Sequence, residues 1–258
     1  MDVATDEGKY LYCVIRSSEP QSFGPLGIGG RGDEVYTICY DDIAVAASNS
    51  PVKKYSACRD NMLAHEKAIE AVMAEHTVLP VRFGTIAQDN GEEGKVVRIL
   101  ETEHDRFRDL LNEIEGEKEL NLKAMFKEGV IYKDILEKYE DIRRLKEELA
   151  ALDPRKSHFE RMKIGEMVEH ALETEKEEYK DRVLAILRPL AVEVKTNDTY
   201  GELMIFNAAF LVDKQKEAEF DQQIQQLDEE YGEKVQFKYV GTLPPFNFVN
   251  LVIETGQY

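Results

Sequence analysis

Leu203–Val212 reads LMIFNAAFLV and carries apolar side chains on both faces of the strand that it would form. Such a pattern predicts a strand at the centre of a sheet, covered on each side. Ala191–Thr196 alternates as a preceding strand, with turn-forming residues at 197–201 between the two. A helical face from Phe220 to Gly232 is followed by a further alternating strand at Val235–Val240. The predicted order from residue 191 is therefore strand, strand, helix, strand.

The region upstream of these strands is dominated by helical spacing. Leu120–Phe126 alternates as a strand, and residues of about 128–188 then carry apolar side chains three and four positions apart. Asp153-Pro154 interrupts this region, because proline ends one helix and can begin the next. Two long helices would then form a helical hairpin. The complete order is β-α-β-β-α-β, which predicts a ferredoxin-like domain whose first helix is extended into that hairpin.

The N-terminal part of the sequence predicts a smaller α+β domain. Tyr10–Ile15 (YLYCVI) has the composition of a strand buried on both faces. Pro80 favours an edge position or an irregular entry for its strand, because proline lacks the N–H that a central strand needs. The other predicted elements are a hairpin of Val35–Tyr40 and Ile43–Ala47 around Asp41-Asp42, a helix at Arg59–Glu75, a strand at Val78–Ile86 and a helix at Gly91–Ile114. We therefore predict an α+β protein of two domains, residues 1–117 and 118–258, the second including the hairpin of about 128–188 and a C-terminal tail.

The composition excludes several classes of partner. The chain has 51 acidic and 33 basic residues, for a formal net charge of −18. Such a charge repels phosphate backbones, so we expect no nucleic-acid partner. No apolar run approaches the about 20 residues that cross a bilayer, so we expect no lipid membrane partner. The N-terminal sequence has no secretory signal pattern, and Cys13, Cys39 and Cys58 have no metal spacing, which predicts a cytoplasmic protein with reduced, mostly buried thiols.

The sequence contains the beginnings of two catalytic or ligand-binding motifs, and neither motif is complete. The glycine-rich stretch 22–33 lacks the Gly-Lys-Ser/Thr of a phosphate-binding loop and leads into a strand, which favours a mobile surface loop. His65-Glu66 begins like a zinc-protease helix, but Ile69 stands where the second histidine would be. His65 is therefore expected to pack or cap within its helix. No nucleophile lies in an activating motif, so we predict no catalytic residue, no metal and no cofactor.

The C-terminal segment Gly241–Val249 (GTLPPFNFV) is the most distinctive motif. Pro244 and Pro245 would stiffen the chain and hold the rings of Phe246 and Phe248 in fixed positions. Two interpretations are open. The segment could seal a core as a tail that crosses to the other domain, or these four residues could form a partner-binding edge.

Five segments, in this order, resemble the GvpL/GvpF family of gas vesicle proteins. They are Tyr10-Leu-Tyr12, Gly24-Pro-Leu-Gly27, His65-Glu66, Leu79–Thr85 (LPVRFGT) and Leu243–Val249 (LPPFNFV). The strand near Leu120, which leads into the long charged helical region, also matches, so the resemblance spans essentially the whole chain. It implies a cytoplasmic, non-enzymatic accessory protein of gas vesicles, either a minor structural component or an assembly component. It also implies contact with the small hydrophobic shell protein and with other gas vesicle accessory proteins, and a ferredoxin-like C-terminal domain.

Physical chemistry is consistent with that expectation. A shell protein exposes large apolar surfaces before it polymerises, so a soluble partner needs a rigid apolar patch or sheet edge and a strong net charge. We expect contact at an exposed sheet edge and at Phe246 and Phe248, with the helical hairpin as a second docking stripe. Two alternatives remain at this stage. One is a ferredoxin-like small-molecule-binding regulatory module, and the other is an enzyme with an unrecognised acidic site.

Overall fold

The computed structural model describes residues 6–88, 93–150 and 158–257. The chain divides into two compact units, Met1–Glu119 with Thr242–Tyr258 and Leu120–Gly241. We call these the first unit and the second unit. The tail therefore groups with the first unit, whereas the sequence boundaries counted it with the second. The reason is apolar packing, because Val249, Leu251 and Ile253 are buried in the core of the first unit.

The first unit is built on an antiparallel sheet of five strands. They are β1 (Glu7–Arg16), β2 (Tyr36–Tyr40), β3 (Ile43–Pro51), β4 (Val78–Pro80) and β5 (Ile86–Gln88). β1 is central and pairs with β3, β4 and β5. Every side chain from Tyr10 to Ile15 is fully buried, which confirms the strand predicted to be covered on both faces.

The predicted hairpin is confirmed, and one predicted strand is replaced by two. β2 and β3 pair antiparallel around Asp41-Asp42, and Asp41 takes the left-handed backbone conformation that tight hairpins require. The strand predicted at Val78–Ile86 is split into β4 and β5. The chain turns between them, with Gly84 at φ +84° and the Thr85 N–H bonded to the Arg82 carbonyl at 3.3 Å. Pro80 lies in β4 at the sheet edge, as predicted.

Two helices cover opposite faces of this sheet. Helix α1 (Arg59–Met73) packs Ala68, Ile69 and Val72 against one set of β1 side chains that includes Tyr10 and Tyr12. Helix α2 (Gly94–Glu113) packs against the other set. A register shift between Leu11 and Cys13 changes which β1 side chains face each helix. The predicted start of the second helix at Gly91 lies outside the described residues.

The glycine-rich loop is anchored, which corrects the prediction of a mobile surface loop. Ile28 is fully buried, and its N–H donates to Tyr12 Oη at 2.8 Å. The Phe23 N–H donates to the Val35 carbonyl at 2.8 Å, so one end of the loop continues the ladder beside β2. The buried Ile28 side chain and these hydrogen bonds together hold the segment against β1 and β2. The expectation of mostly buried thiols also needs correction, because Cys13 alone is buried and Cys58 is exposed.

The second unit contains a four-stranded sheet with helices packed on it. Its strands are β6 (Glu117–Phe126), β7 (Glu193–Asn197), β8 (Met204–Asp213) and β9 (Val235–Leu243), in the spatial order β7-β8-β6-β9. Its helices are α3 (Glu128–Lys138), α4 (Glu140–Ala150), α5 (His158–Leu187) and α6 (Glu217–Tyr231). Short 3₁₀ turns follow at Arg188–Leu190 in this unit and at Thr255–Gln257 in the tail of the first. β8 lies inside the sheet and is buried on both faces, as its apolar sequence predicts.

The first arm of the predicted hairpin is two helices instead of one. Tyr139 separates α3 from α4 with an extended backbone, at φ −104° and ψ 96°. Its hydroxyl donates to Glu175 Oε1 of α5 at 2.9 Å, and Lys138 Nζ bonds to the same oxygen at 2.6 Å. Apolar spacing could not reveal the break, because Ile135 and Ile142 on either side of it are both buried. The predicted interruption at Asp153-Pro154 lies outside the described residues.

Candidate functional site

An apolar groove in the first unit is formed by three of the motifs that the sequence singles out. The groove is a cavity of about 420 Å³ whose walls are Met62, His65 and Glu66 of α1, residues 80–83, Phe246 and residues 249–251. These walls come from the His65-Glu66 helix, the LPVRFG segment and the LPPFNFV segment. They are distant in sequence and adjacent in the folded unit.

The tail is fastened beside β4 by backbone hydrogen bonds. Leu251 forms a parallel bridge with Val81, and the Arg82 N–H donates to the Leu251 carbonyl at 3.2 Å. Further along, Thr255 Oγ1 donates to the Ile86 carbonyl at 3.0 Å. The tail pairs here through an isolated bridge and not through a strand. These contacts still fix one wall of the groove to the sheet.

Phe246 is held at the surface by a tight turn. The Phe246 N–H donates to the Pro244 carbonyl at 2.6 Å, and the Val249 N–H donates to the Pro245 carbonyl at 2.8 Å. Both prolines are buried, Phe248 is half-buried, and Phe246 is 41% exposed. Of the four residues predicted to bind a partner, Phe246 alone is exposed and alone lines the groove. Pro244, Pro245 and Phe248 support its position.

A buried carboxylate locks this turn. Glu119 is 1% exposed and accepts two hydrogen bonds from Asn247, from the backbone N–H at 2.8 Å and from Nδ2 at 2.6 Å. Hydrogen bonds to a charged group are about twice as strong as neutral ones. The adjacent Phe246 ring is therefore presented by a preorganised turn.

The wall beneath Phe83 is a polar network that carries no charge. Tyr10 Oη accepts the Gly84 N–H at 2.9 Å and lies 3.1 Å from His65 Nδ1. The His65 ring also donates a hydrogen bond to the Val81 carbonyl. In the neutral ring that leaves Nδ1 as the acceptor, and the Tyr10 hydroxyl donates to it. Burial lowers the pKa of His65 from 6.5 to about 4, so the ring is neutral near pH 7. His65 packs within the core, as predicted, with its ring edge-on to Phe83 at 5.5 Å.

Met62 and Phe83 belong to this site and were missed by sequence reasoning. Met62 is 43% exposed and lies one helical turn before His65, so its side chain shares that face of α1. Phe83 was assigned to a continuous strand, and its position next to the groove depends on the turn at Gly84. The sequence could have indicated Met62, because it lies three residues before the His65-Glu66 motif and therefore on the same face of the helix.

The second unit contains a larger open groove of about 1330 Å³ beside α3, α4, α5 and β8. Leu136, Val168 and Phe206 contribute apolar surface to it. Two of its lysines form ion pairs with glutamates that also line the groove. Lys176 Nζ lies 2.6 Å from Glu173 Oε1, and an identical distance joins Lys180 to Glu177.

One further cluster could hold a metal ion. Within the described ranges, Asp41, Asp42 and His104 are the one set of three side chains whose ligand atoms come close enough together. His104 Nε2 lies 2.8 Å from Asp42 Oδ1, and Arg108 Nε lies 3.3 Å from the other oxygen of Asp42. This arrangement already satisfies Asp42 and ties the β2–β3 hairpin to α2. The proximity of these side chains is therefore explained by their contacts with one another, without a metal ion.

Among the residues that the structure describes, no helix combines the length and apolar character that crossing a membrane requires.

The fold defines a mixed helix-and-sheet protein with two antiparallel sheets. The chain belongs to the family described as gas vesicle synthesis protein GvpL/GvpF, whose model matches residues 8–250.

Relatives with this family name match over nearly their full lengths. Gas vesicle protein F of Nostoc sp. (strain PCC 7120) is 27% identical over 95% of this chain and 98% of its own. Gas vesicle protein F1 of Halobacterium salinarum is 24% identical over 97% of both chains. The crystal structure of GvpF from Anabaena sp. PCC7120 matches with a TM-score of 0.78 at 27% identity, covering 95% of this chain and 99% of that one. GvpF from Microcystis aeruginosa has the same fold, with a TM-score of 0.73 at 24% identity and the same coverage.

Proposed function

We propose that this chain is a non-catalytic accessory protein of gas vesicles that acts in the cytoplasm and at the vesicle. In this proposal it binds the small hydrophobic shell protein and other gas vesicle proteins during assembly. The proposal is supported by membership of a family of gas vesicle synthesis proteins and by relatives named gas vesicle proteins F and L.

The observation that carries the proposal is the apolar groove of the first unit. Phe246 and Met62 expose large apolar side chains at its mouth, on a turn and a helix that are both fixed by buried contacts. Aromatic and methionine side chains in a preformed groove are typical anchors for a partner's apolar segment. The net charge of −18 keeps such a surface soluble before it is covered.

The helical hairpin supplies a second docking stripe in this proposal. Phe159 and Met162 lie near the start of α5, and Phe159 is 81% exposed. Neither side chain belongs to the buried core of the second unit. They offer an apolar surface that could hold a second copy of the shell protein or another accessory protein.

We also propose that the two units are domains and that the second is ferredoxin-like. Its chain order is strand, helices, strand, strand, helix, strand. Its spatial order β7-β8-β6-β9 corresponds to 2-3-1-4 when the strands of this unit are numbered from one. Both features support the split βαβ arrangement.

Capture of the shell protein tests the proposed function. Phe246→Asp combined with Met62→Asp is expected to weaken capture of the small hydrophobic shell protein about tenfold or more, because it places two charges in the apolar groove. The assay is co-purification of the shell protein from cells that express both proteins. Tyr200→Asp is the matched control, since Tyr200 is 73% exposed and lies outside the groove. Full capture by a folded double variant would contradict the assignment of this groove.

A second candidate function is a small-molecule-binding regulatory module. It is favoured by the groove of about 1330 Å³ in the second unit, which is large enough for a metabolite. A thermal-shift panel of metabolites separates the two functions. A ligand at 100 times its dissociation constant would add about 2.7 kcal/mol of stability, and an unresponsive protein that captures the shell protein would favour the first function.

A further inference from the structure

We infer that the apolar groove selects partner segments in which bulky apolar residues have acidic neighbours. This inference rests on the proposed function, because it names the chemistry of the segment that the same groove takes. The occupant is a peptide segment of another protein, and charge complementarity beside the groove identifies it.

A second cavity of about 630 Å³ adjoins the groove and shares two wall residues with it, Arg82 and Phe83. Lys53 and Lys54, which follow β3, contribute to the same cavity. We call Lys53, Lys54 and Arg82 the basic rim. One continuous surface thus combines an apolar groove with three cations.

The basic rim is available for a partner. Lys54 and Arg82 are exposed and form no ion pair with any other residue in the described part of the chain. Lys53 Nζ lies 5.0 Å above the Tyr55 ring, which holds it without neutralising its charge. Elsewhere in this unit Arg31 is paired with both Glu7 and Asp33.

The local charge differs in sign from the charge of the whole molecule. Among the residues that the structure describes, Glu66 and Glu254 are the acids that line the two cavities, against three cations. The chain as a whole carries −18. An exposed basic cluster on such a surface attracts carboxylates locally, while the surrounding field repels nucleic acid and anionic lipid.

Each of the two cavities would recognise a different part of the partner segment. A bulky apolar side chain enters the groove against Met62, Phe83 and Phe246. Carboxylates of neighbouring residues then reach Arg82 and Lys54. Apolar contact provides most of the affinity, and the ion pairs determine which apolar segments are accepted, because exposed pairs contribute only about 0.2–1 kcal/mol each.

Matched peptides test the inference directly. The probes are fluorescein-labelled 12-residue peptides with the same Leu and Phe positions, whose remaining positions hold Glu, Gln or Lys. By fluorescence anisotropy with the full chain, we expect the Glu peptide to bind about fivefold or more tightly than the Lys peptide at low salt. The difference should shrink at about 0.5 M NaCl, because salt screens exposed charges.

Two pairs of substitutions locate the effect. Lys54→Glu with Arg82→Glu should abolish or reverse the preference for Glu. Lys214→Glu with Lys238→Glu changes the net charge equally at exposed positions of the second unit and should leave the preference intact. Phe246→Asp with Met62→Asp should weaken binding of all three peptides.

Equal binding of the Glu and Lys peptides would overturn the inference, as would an equal loss of preference in both charge-reversed variants. Either result leaves the proposed function standing if capture of the shell protein still depends on Phe246 and Met62. A third outcome is that the Glu preference is lost in the Lys54 and Arg82 variant while shell-protein capture is unchanged in the Phe246 and Met62 variant. That outcome would support the inferred peptide chemistry and contradict the proposed function.

Discussion

Replacing Glu119 with alanine is expected to lower the free energy of unfolding by about 3 kcal/mol and to release the turn that presents Phe246. The carboxylate accepts two hydrogen bonds from Asn247 in a buried position. A hydrogen bond to a charged group contributes about 1.5–3 kcal/mol, and removal of the acceptor also leaves the Asn247 donors without these bonds. The loss should be measured by urea denaturation, together with amide hydrogen exchange of residues 244–249.

A double-mutant cycle separates this contact from general damage. Glu119→Gln should cost less than Glu119→Ala, because its amide oxygen can still accept from Asn247 Nδ2. Asn247→Ala should remove little further stability once Glu119 is alanine, giving a coupling energy of about 1 kcal/mol or more. Asn250→Ala, at an exposed neighbour, is the control. If the losses of unfolding free energy caused by Glu119→Ala and Asn247→Ala were strictly additive, the two residues would not stabilise the turn through their mutual hydrogen bonds.

Acidification is expected to remove about 3 kcal/mol of stability through His65 alone. Burial lowers its pKa from 6.5 to about 4 in the folded protein, so the unfolded chain binds this proton more tightly. Stability is therefore complete above about pH 6.5 and declines as the pH falls towards 4. The measurement is the free energy of unfolding at closely spaced pH values between 7 and 4.

His65→Gln is the control for the titration of other groups. Glutamine keeps hydrogen-bonding capacity towards Tyr10 and cannot titrate, so it removes the His65 contribution from the pH slope. Carboxylates contribute equally to both proteins and cancel in the difference. The difference between the two curves should develop between about pH 6.5 and 4. Parallel curves would mean that the buried ring is not held neutral.

Most elements of the fold could be predicted because their signals are local. The short apolar runs Val35–Tyr40 and Ile43–Ala47, joined by two aspartates, predicted a hairpin, and it is found as β2 and β3. The apolar run Leu203–Val212 defined an interior strand, and it is found as β8. Period and turn chemistry are properties of a few consecutive residues, so one sequence suffices for them.

The missed features depend on contacts between distant residues. Tyr139 fits a continuous helical stripe, and its break is stabilised by Glu175 from another helix. The assembly of the groove was likewise not visible, because its three motifs become neighbours only through the sheet and the tail. Val249 and Leu251 of the tail are buried in a core, as the sealing interpretation predicts. Phe246 is left exposed, and its role in binding a partner stays a prediction.

The central claim is that the groove of the first unit contacts the small hydrophobic shell protein. A photo-crosslinking amino acid, p-benzoylphenylalanine, placed at position 246 tests it in the assembled complex, with the same group at position 200 as the exposed reference. We expect a covalent adduct with the shell protein from position 246 and little or none from position 200. Adducts from position 200 alone, or no adduct from position 246 in a complex that still forms, would contradict the account.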